Sequence, residues 1–333
     1  AEAALDARAL QLVPGSPGGK PNVFRQLLRV LKMTEEEYGD RRRKYLESNR
    51  TLRKALRDPA ITNIDRHHLI CDHLLHRGRV LFACEGCWLT PVNCICEKMA
   101  RARRASPRVK VFILMHHNEW GRASNSGIVV KHTLRGDEDD ACTILVKGYK
   151  PHDAILERLF ESERGQANAI SPSRERTVIL FPAETGPVMD CETLLGELRA
   201  SPSSTPAGWD TGIQSKCPAA ATTTTTTTTT TVNVVVLDGT WNHARKMATK
   251  IPSHVPRLSL SASSVRLSEE TNESLLAPAR RYRGQASENG RVSTLEAVEA
   301  VFREMGAGEE LSATLLANLK LRVEAVRLQN GRD

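Results

Sequence analysis

Several groups of residues in this chain have the types and spacing that chemistry requires. Asp238-Gly239-Thr240-Trp241 stands where an aliphatic run, Val234-Val235-Val236-Leu237, gives way to a helical pattern from Asn242 to Lys250. A short β-branched run reads as a buried strand, and its C-terminal end is where α/β proteins build sites. Asp238 could there cap the helix, act as a base or anchor a ligand, while N–H groups at the helix start could hold an anion. Trp241 could equally pack in the core or face a ring. A second group, Cys84-x2-Cys87-x6-Cys94-x-Cys96, supplies the thiolates of a closed tetrahedral zinc site. Such a site leaves no open position, so its metal is structural. Two disulfides or a redox-active CxxC pair are the alternatives, and scattered Cys71, Cys142, Cys191 and Cys217 argue against oxidising surroundings.

A third group follows the strand expected to end at Met115: His116, His117, Glu119, Arg122, Asn125, Ser126 and Gly127. It concentrates imidazole, carboxylate, guanidinium and amide on one loop at a sheet edge. His117-x-Glu119 has the spacing of zinc deaminases, but there the cysteines follow the histidine, whereas here they precede it. A fourth group, Phe181-Pro182-Ala183-Glu184-Thr185-Gly186, also follows a strand pattern and suits either a ligand loop or an ordinary turn. No GxGxxG follows a strand, and neither a P-loop nor a Gly-x-Ser-x-Gly elbow occurs.

The elements that must position these groups are legible from periodicity. Strands are expected at Val109–Met115, Thr143–Val146, Thr177–Phe181 and Asn233–Leu237, and helices from Asp153 and Asp190. That alternation predicts an α/β fold with a mainly parallel sheet. Ser293 and Glu296 form a capping box ahead of Leu295, Val298, Val301 and Phe302, and a final helix is expected over Ser312–Leu328. Residues 201–231, ending in ten consecutive threonines, lack core-forming side chains and read as a disordered insertion within one domain. The last threonines could extend the strand at Asn233. Residues 1–20 read as a flexible lead-in, and 21–79 as a basic helical N-terminal region. There Val23–Leu31 is helical, and Thr34 caps a helix carrying Arg41, Arg42, Arg43, Lys44, Arg50, Arg53, Lys54 and Arg57. Those charges suit either a solvated face or RNA phosphates.

The 333 residues suffice for a substantial core without disulfides, and the formal net charge of +8 favours a polyanionic partner. No apolar stretch reaches transmembrane length. Free thiols place the chain in a reducing intracellular compartment, cytoplasm or nucleus. A chain starting at Ala1 reads as a processed or trimmed product, which adds the mitochondrion.

Taken together, the CxxC…CxC cluster, His116…Glu119…Arg122…Asn125-Ser126-Gly127, Phe181-Pro182-x-Glu184, Asp238-x-Thr240-Trp241 and Ser293-Thr294-Leu295-Glu296-Ala297 follow the order seen in DTW-domain proteins. The chain resembles these tRNA-uridine aminocarboxypropyltransferases over about residues 80–305. The resemblance implies a SPOUT-like, knotted catalytic domain over 80–330 with a zinc knuckle at 80–100. It also implies S-adenosylmethionine as donor, structural zinc, and RNA as partner, tRNA in preference to rRNA. It would make Asp238, Thr240 and Trp241 catalytic. The donor would be bound by Pro182, Glu184, Asp238, Trp241, Ser293, Thr294 and Leu295. His116, Glu119, Arg122 and Asn125 would meet substrate or RNA, with Arg122 and Asn125 on either the methionine carboxylate or a phosphate. Asp238 would take the N3 proton of uridine or orient the uracil. An rRNA-directed enzyme and a non-catalytic RNA-binding or ribosome-assembly factor are the alternatives, and the intact Asp238 and Trp241 favour catalysis. The family's His-Pro step is His116-His117 here, with His116 taken as the family's histidine, and the Thr-rich insertion precedes the signature strand.

Overall fold

The aliphatic runs become the middle of one sheet. The computed structural model describes residues 21–102, 109–135, 141–165, 173–181, 187–200, 229–261, 274–276 and 292–330. Its strands are β1 (Val109–His116), β2 (Cys142–Lys147), β3 (Ser173–Leu180), β4 (Val188–Asp190), β5 (Thr229–Asp238) and β6 (Arg257–Ser259). They form a six-stranded sheet in the order β2-β1-β5-β3-β6-β4, and every pairing is parallel. The helices are α1 (Pro21–Leu31), α2 (Glu35–Leu56), α3 (Asn63–Arg77), α4 (Gly127–Thr133), α5 (Lys150–Gly165), α6 (Cys191–Ala200), α7 (Trp241–Ala248), α8 (Thr294–Glu304) and α9 (Glu309–Gln329).

Side chains alternate across a strand, so parity assigns each residue to a face. Val109, Val111, Ile113 and Met115 of β1 and Val232, Val234 and Val236 of β5 join the layer formed with α4, α6, α8 and α9. Leu114, Val235 and Leu237 join the opposite layer with α5 and α7. Both parities are apolar, which is why these strands read as unbroken aliphatic runs. β5 lies between β1 and β3 and is paired along both edges. The carboxylate at its end is therefore carried by the best-supported strand of the sheet.

The expected elements appear with shifted ends. β5 starts at Thr229, four residues before Asn233, because Thr229, Thr230 and Thr231 pair with Ser173, Arg174 and Glu175. The same pairing starts β3 at Ser173 and not at Thr177. The helix expected from Asp153 begins at Lys150, and Asp153 instead receives the Gly148 N–H at 3.1 Å. Asp190 ends a short strand and accepts from Thr193 N at 2.7 Å as α6 begins. β4 and β6 span three residues each, too few for a periodic signal. The lead-in, 1–20, and most of the Thr-rich insertion, 201–228, lie outside the described residues.

At the N-terminal end Thr34 caps α2 in a reciprocal box with Glu37. Only Tyr38 and Tyr45 of α2 are buried, so its arginines and lysines line an outward face. The sequence reading did not separate α3, whose few core residues, Cys71 and Leu75, pack on Val146 of β2. Among the described residues no helix is long and apolar enough to cross a membrane.

The capping box of α8 does more than start a helix. Glu296, 2% exposed, accepts from Ser293 N at 2.6 Å, Ser274 Oγ at 2.6 Å and Leu275 N at 2.7 Å. Leaving buried donors unpaired costs about 1–3 kcal/mol each. With three donors affected, Glu296→Ala should therefore lower the unfolding free energy by about 3 kcal/mol or more in a denaturant titration. Glu296→Gln, which keeps one acceptor oxygen, should lose clearly less.

Candidate active site

Asp238 shares the parity of Val234 and Val236, and its register partner on β1 is Met115. Its side chain therefore turns toward α4 and α8. There Asn125 Nδ2 donates to Oδ2 at 2.6 Å and Thr294 Oγ1 donates to Oδ1 at 2.5 Å. Asn125 is itself fixed, since its Oδ1 accepts from Ile128 N at 3.1 Å at the start of α4. Ser126 Oγ accepts from Leu295 N at 3.4 Å, which joins the two segments a second time. Gly127 makes the approach feasible. A Cβ there would lie 3.3 Å from Asn125 Oδ1 and 3.4 Å from Asp238 Oδ2.

Asp238 is only 6% exposed, and burial raises its carboxyl to about 6. The Thr294 and Asn125 hydrogen bonds oppose that rise, Glu119 adds to it, and Arg122 opposes it. Asp238 does not cap α7. That role falls to Thr240, whose Oγ1 accepts from His243 N at 3.4 Å. The helix start and the buried carboxylate are thus served by different side chains.

Glu119, also buried, forms a 2.7 Å ion pair with Arg122 in the turn after β1. His116 has the opposite parity to Met115 and stacks on His243 of α7, with ring centroids 3.8 Å apart and planes 4° from parallel. His116 Nδ1 accepts from Asn118 N at 3.2 Å, which leaves Nε2 to carry the proton. Burial, followed by the neighbouring histidines, lowers His116 to about 3. Burial, followed by His67, lowers His117 to about 4. These rings are neutral at physiological pH. Among the described residues His243 Nδ1 is buried without a hydrogen-bond partner.

The structure brings Asp238, Asn125 and Thr294 into direct contact, with the Glu119–Arg122 pair close enough to influence the carboxylate. Ser293 is spent on capping α8, and the Leu295 N–H on Ser126. Trp241 leans on Phe181, ring centroids 5.2 Å apart, within the opposite layer. Thr240 is exposed. Pro182 and Glu184 lie outside the described residues. His243 was missed by the sequence reading, although its place one turn into the helix after Asp238-x-Thr240-Trp241 was a usable signal.

The tetra-Cys group is assembled on tight turns. Cys84 N donates to Leu89 O at 2.8 Å and Trp88 N to Cys84 O at 2.7 Å, with Trp88 at φ 56°. The sulfurs of Cys84, Cys87, Cys94 and Cys96 all lie within 4.8 Å of one another. The Cys84–Cys96, Cys87–Cys94 and Cys94–Cys84 separations are 3.6, 3.8 and 3.4 Å. A disulfide needs about 2.05 Å, whereas tetrahedral zinc with bonds of about 2.3 Å sets sulfurs roughly 3.7 Å apart. The group can therefore hold a metal such as zinc. Gly86 is required beside it, because a Cβ would fall 2.8 Å from Cys96 Sγ. Arg322 of α9, fully buried, donates Nη1 to Cys87 O and Nη2 to Arg122 O at 3.4 Å. One guanidinium thus joins the cysteine turns to the loop of Glu119 and Arg122. The sequence signal was available: Arg322 interrupts an apolar stripe of Leu315, Leu319, Val323 and Val326.

A family model described as DTW domain matches residues 81–327, most of the chain. The chain belongs to the DTW-domain family. The matched span runs from the cysteine turns through the sheet to α9, and α1, α2 and α3 precede it. Comparison with curated proteins and with solved structures gave no match. Membership of the DTW-domain family points in general to tRNA modification and to RNA as a partner.

Two outcomes test the geometry of this DTW-domain site. A carboxyl raised to about 6 holds its proton in the native state over a range where the unfolded chain has lost it. Stability due to Asp238 is therefore present at low pH and lost as pH rises through about 6. Relative to Asp238→Asn, wild type should lose on the order of 1–3 kcal/mol between pH 4 and 7. Chemical denaturation at both pH values measures it, and a flat difference would show that the carboxylate titrates normally. Cys96→Ser should release one equivalent of metal per chain from reduced protein by elemental analysis, and unchanged metal content would refute the tetra-Cys assignment.

Proposed function

We propose that this protein transfers the 3-amino-3-carboxypropyl group of S-adenosylmethionine to N3 of a uridine in tRNA, releasing methylthioadenosine. The observation that carries the reading is the buried Asp238 carboxylate, held by Asn125 and Thr294 and raised to about 6. All three residues belong to motifs shared with the family, and they meet in space although far apart in sequence.

A base that must accept the proton of a weakly acidic imide works best with a pKa near the operating pH. An exposed aspartate is too weak, and burial strengthens this one. Each oxygen of Asp238 receives one hydrogen bond and retains a further lone-pair direction for the substrate N–H. The clamps from Asn125 and Thr294 prevent the carboxylate from rotating, so it presents that lone pair in a constant direction.

The residues at this edge suit the donor in charge. Asp238 and Glu119 are chemical partners for an ammonium group, and Arg122 for a carboxylate. When bound, S-adenosylmethionine would supply a sulfonium-activated γ-carbon and methylthioadenosine as the leaving group. The stacked pair His116 and His243 offers an aromatic surface for a base. Trp241, which packs on Phe181, belongs to the proposed donor site, and the family resemblance adds Pro182 and Glu184 to it.

A SPOUT-like, knotted course for the chain is part of this reading, and it rests on the family resemblance; the all-parallel sheet is compatible with it. Exposed Arg43, Lys44, Arg50 and Lys54 of α2 supply phosphate contacts in this reading. We further propose zinc as the metal of the tetra-Cys group and a reducing intracellular compartment, in keeping with its free thiols.

The test is nucleoside mass spectrometry of tRNA and rRNA incubated with protein and S-adenosylmethionine. tRNA uridine should gain an aminocarboxypropyl group with stoichiometric methylthioadenosine. Absence of both products defeats the enzymatic reading, and modification of rRNA alone redirects it. Asp238→Ala should lower kcat/KM by at least about 100-fold. In wild type kcat/KM should climb as pH rises through about 6 and the base loses its proton. Full activity of Asp238→Ala would remove the proton-accepting role.

A further inference from the structure

Between α3 and the turn after β1 lies a group of side chains that neither the carboxylate site nor the tetra-Cys group uses. His67 and Cys71 are one turn apart on α3 and project from the same side of it. His117 opens the short 3-10 turn at the end of β1. His67 Nε2 stands 3.1 Å from His117 Nδ1. With Cys71 Sγ, the three ligand atoms all lie within 4.8 Å of one another. Two nitrogens bound to tetrahedral zinc at about 2.0–2.1 Å are roughly 3.3 Å apart, and nitrogen and sulfur roughly 3.5 Å. The nitrogens already have that spacing, and the sulfur, within 4.8 Å of a nitrogen on each ring, needs to close by at most about 1.3 Å.

We propose that His67, Cys71 and His117 form a second metal site for a zinc-like divalent ion, which pins α3 to the C-terminal edge of the sheet. The surroundings are built for it. Gly148, at φ 92°, lies against the His67 ring, and a Cβ there would fall 2.8 Å from Cε1 and Nε2. Cys71 is completely buried, and its thiol has one weak acceptor, Lys147 O at 3.5 Å. Imidazole and thiolate together select borderline-soft ions over magnesium or calcium. On binding, the Cys71 proton leaves to solvent. The proton in the His67–His117 hydrogen bond moves to the far nitrogen of its own ring, so that each imidazole offers a lone pair to the metal. Water takes the fourth position.

Titration of reduced, metal-free, full-length protein with Co2+ tests the site. Wild type should bind two equivalents. The one at His67, Cys71 and His117 should add about a quarter of the thiolate-to-metal absorbance of the tetra-Cys site, since it has one sulfur ligand in place of four. Cys71→Ser and His117→Ala should each bind one equivalent and retain the four-thiolate spectrum, which also reports that they fold. A wild-type stoichiometry of one, a second equivalent without thiolate absorbance, or either variant binding as much as wild type would overturn the site. The His67–His117 contact would then be a hydrogen bond alone.

Discussion

A carboxylate withdrawn from water at the end of the central strand must find donors inside the protein, and the arrangement around Asp238 follows from that demand. An unpaired buried charge costs several kcal/mol, so the segments carrying Asn125 and Thr294 are not free to sit elsewhere. One lies at the start of α4 and the other at the start of α8. Their hydrogen bonds draw both helix starts to the same strand end, and Ser126 with Leu295 joins them again. The donors compensate burial only in part, since the carboxyl stays above its usual range. That residue of unfavourable energy makes the group a stronger base than an exposed aspartate.

Arg322 shows how distant parts of the molecule share this constraint. Its guanidinium spans the carbonyls of Cys87 and Arg122, so turns organised by sulfur chemistry and a loop organised by an ion pair have a common donor. Burial lowers it to about 10, and it stays charged at neutral pH. A positive charge beside cysteine thiolates offsets their repulsion, which suits a cluster that must hold several anionic sulfurs together. On the opposite side of the sheet α7 has its own cap in Thr240, so the start of that helix does not draw on Asp238 for its cap.

Much of this is legible in the sequence itself. The aliphatic runs imply a parallel sheet because both parities are apolar, and the capped helix start at Thr34 and the capping box at Ser293 follow from side-chain chemistry alone. The cysteine spacing implied a metal group, and four sulfurs do converge. The meeting of Asp238 with Asn125 and Thr294 was not legible from local pattern, because the partners are 113 and 56 residues away. The α3 helix escaped notice because few of its residues are buried, and β4 and β6 because three residues carry no period. Of the roles open to Asp238, the helix cap is taken by a threonine two residues later.

The threonine run bears on how this chain tolerates change in its own length. Ten identical residues precede Val232, and the last three are paired with Ser173, Arg174 and Glu175. Removing or adding one threonine still leaves threonine opposite each of those partners. Val232 to Asp238 would keep their alignment against β1, because that alignment is set by apolar side chains and not by what lies upstream. A homopolymer spliced onto a strand thus acts as a slip joint: the repeat can lengthen or shorten while the end that carries the carboxylate stays put.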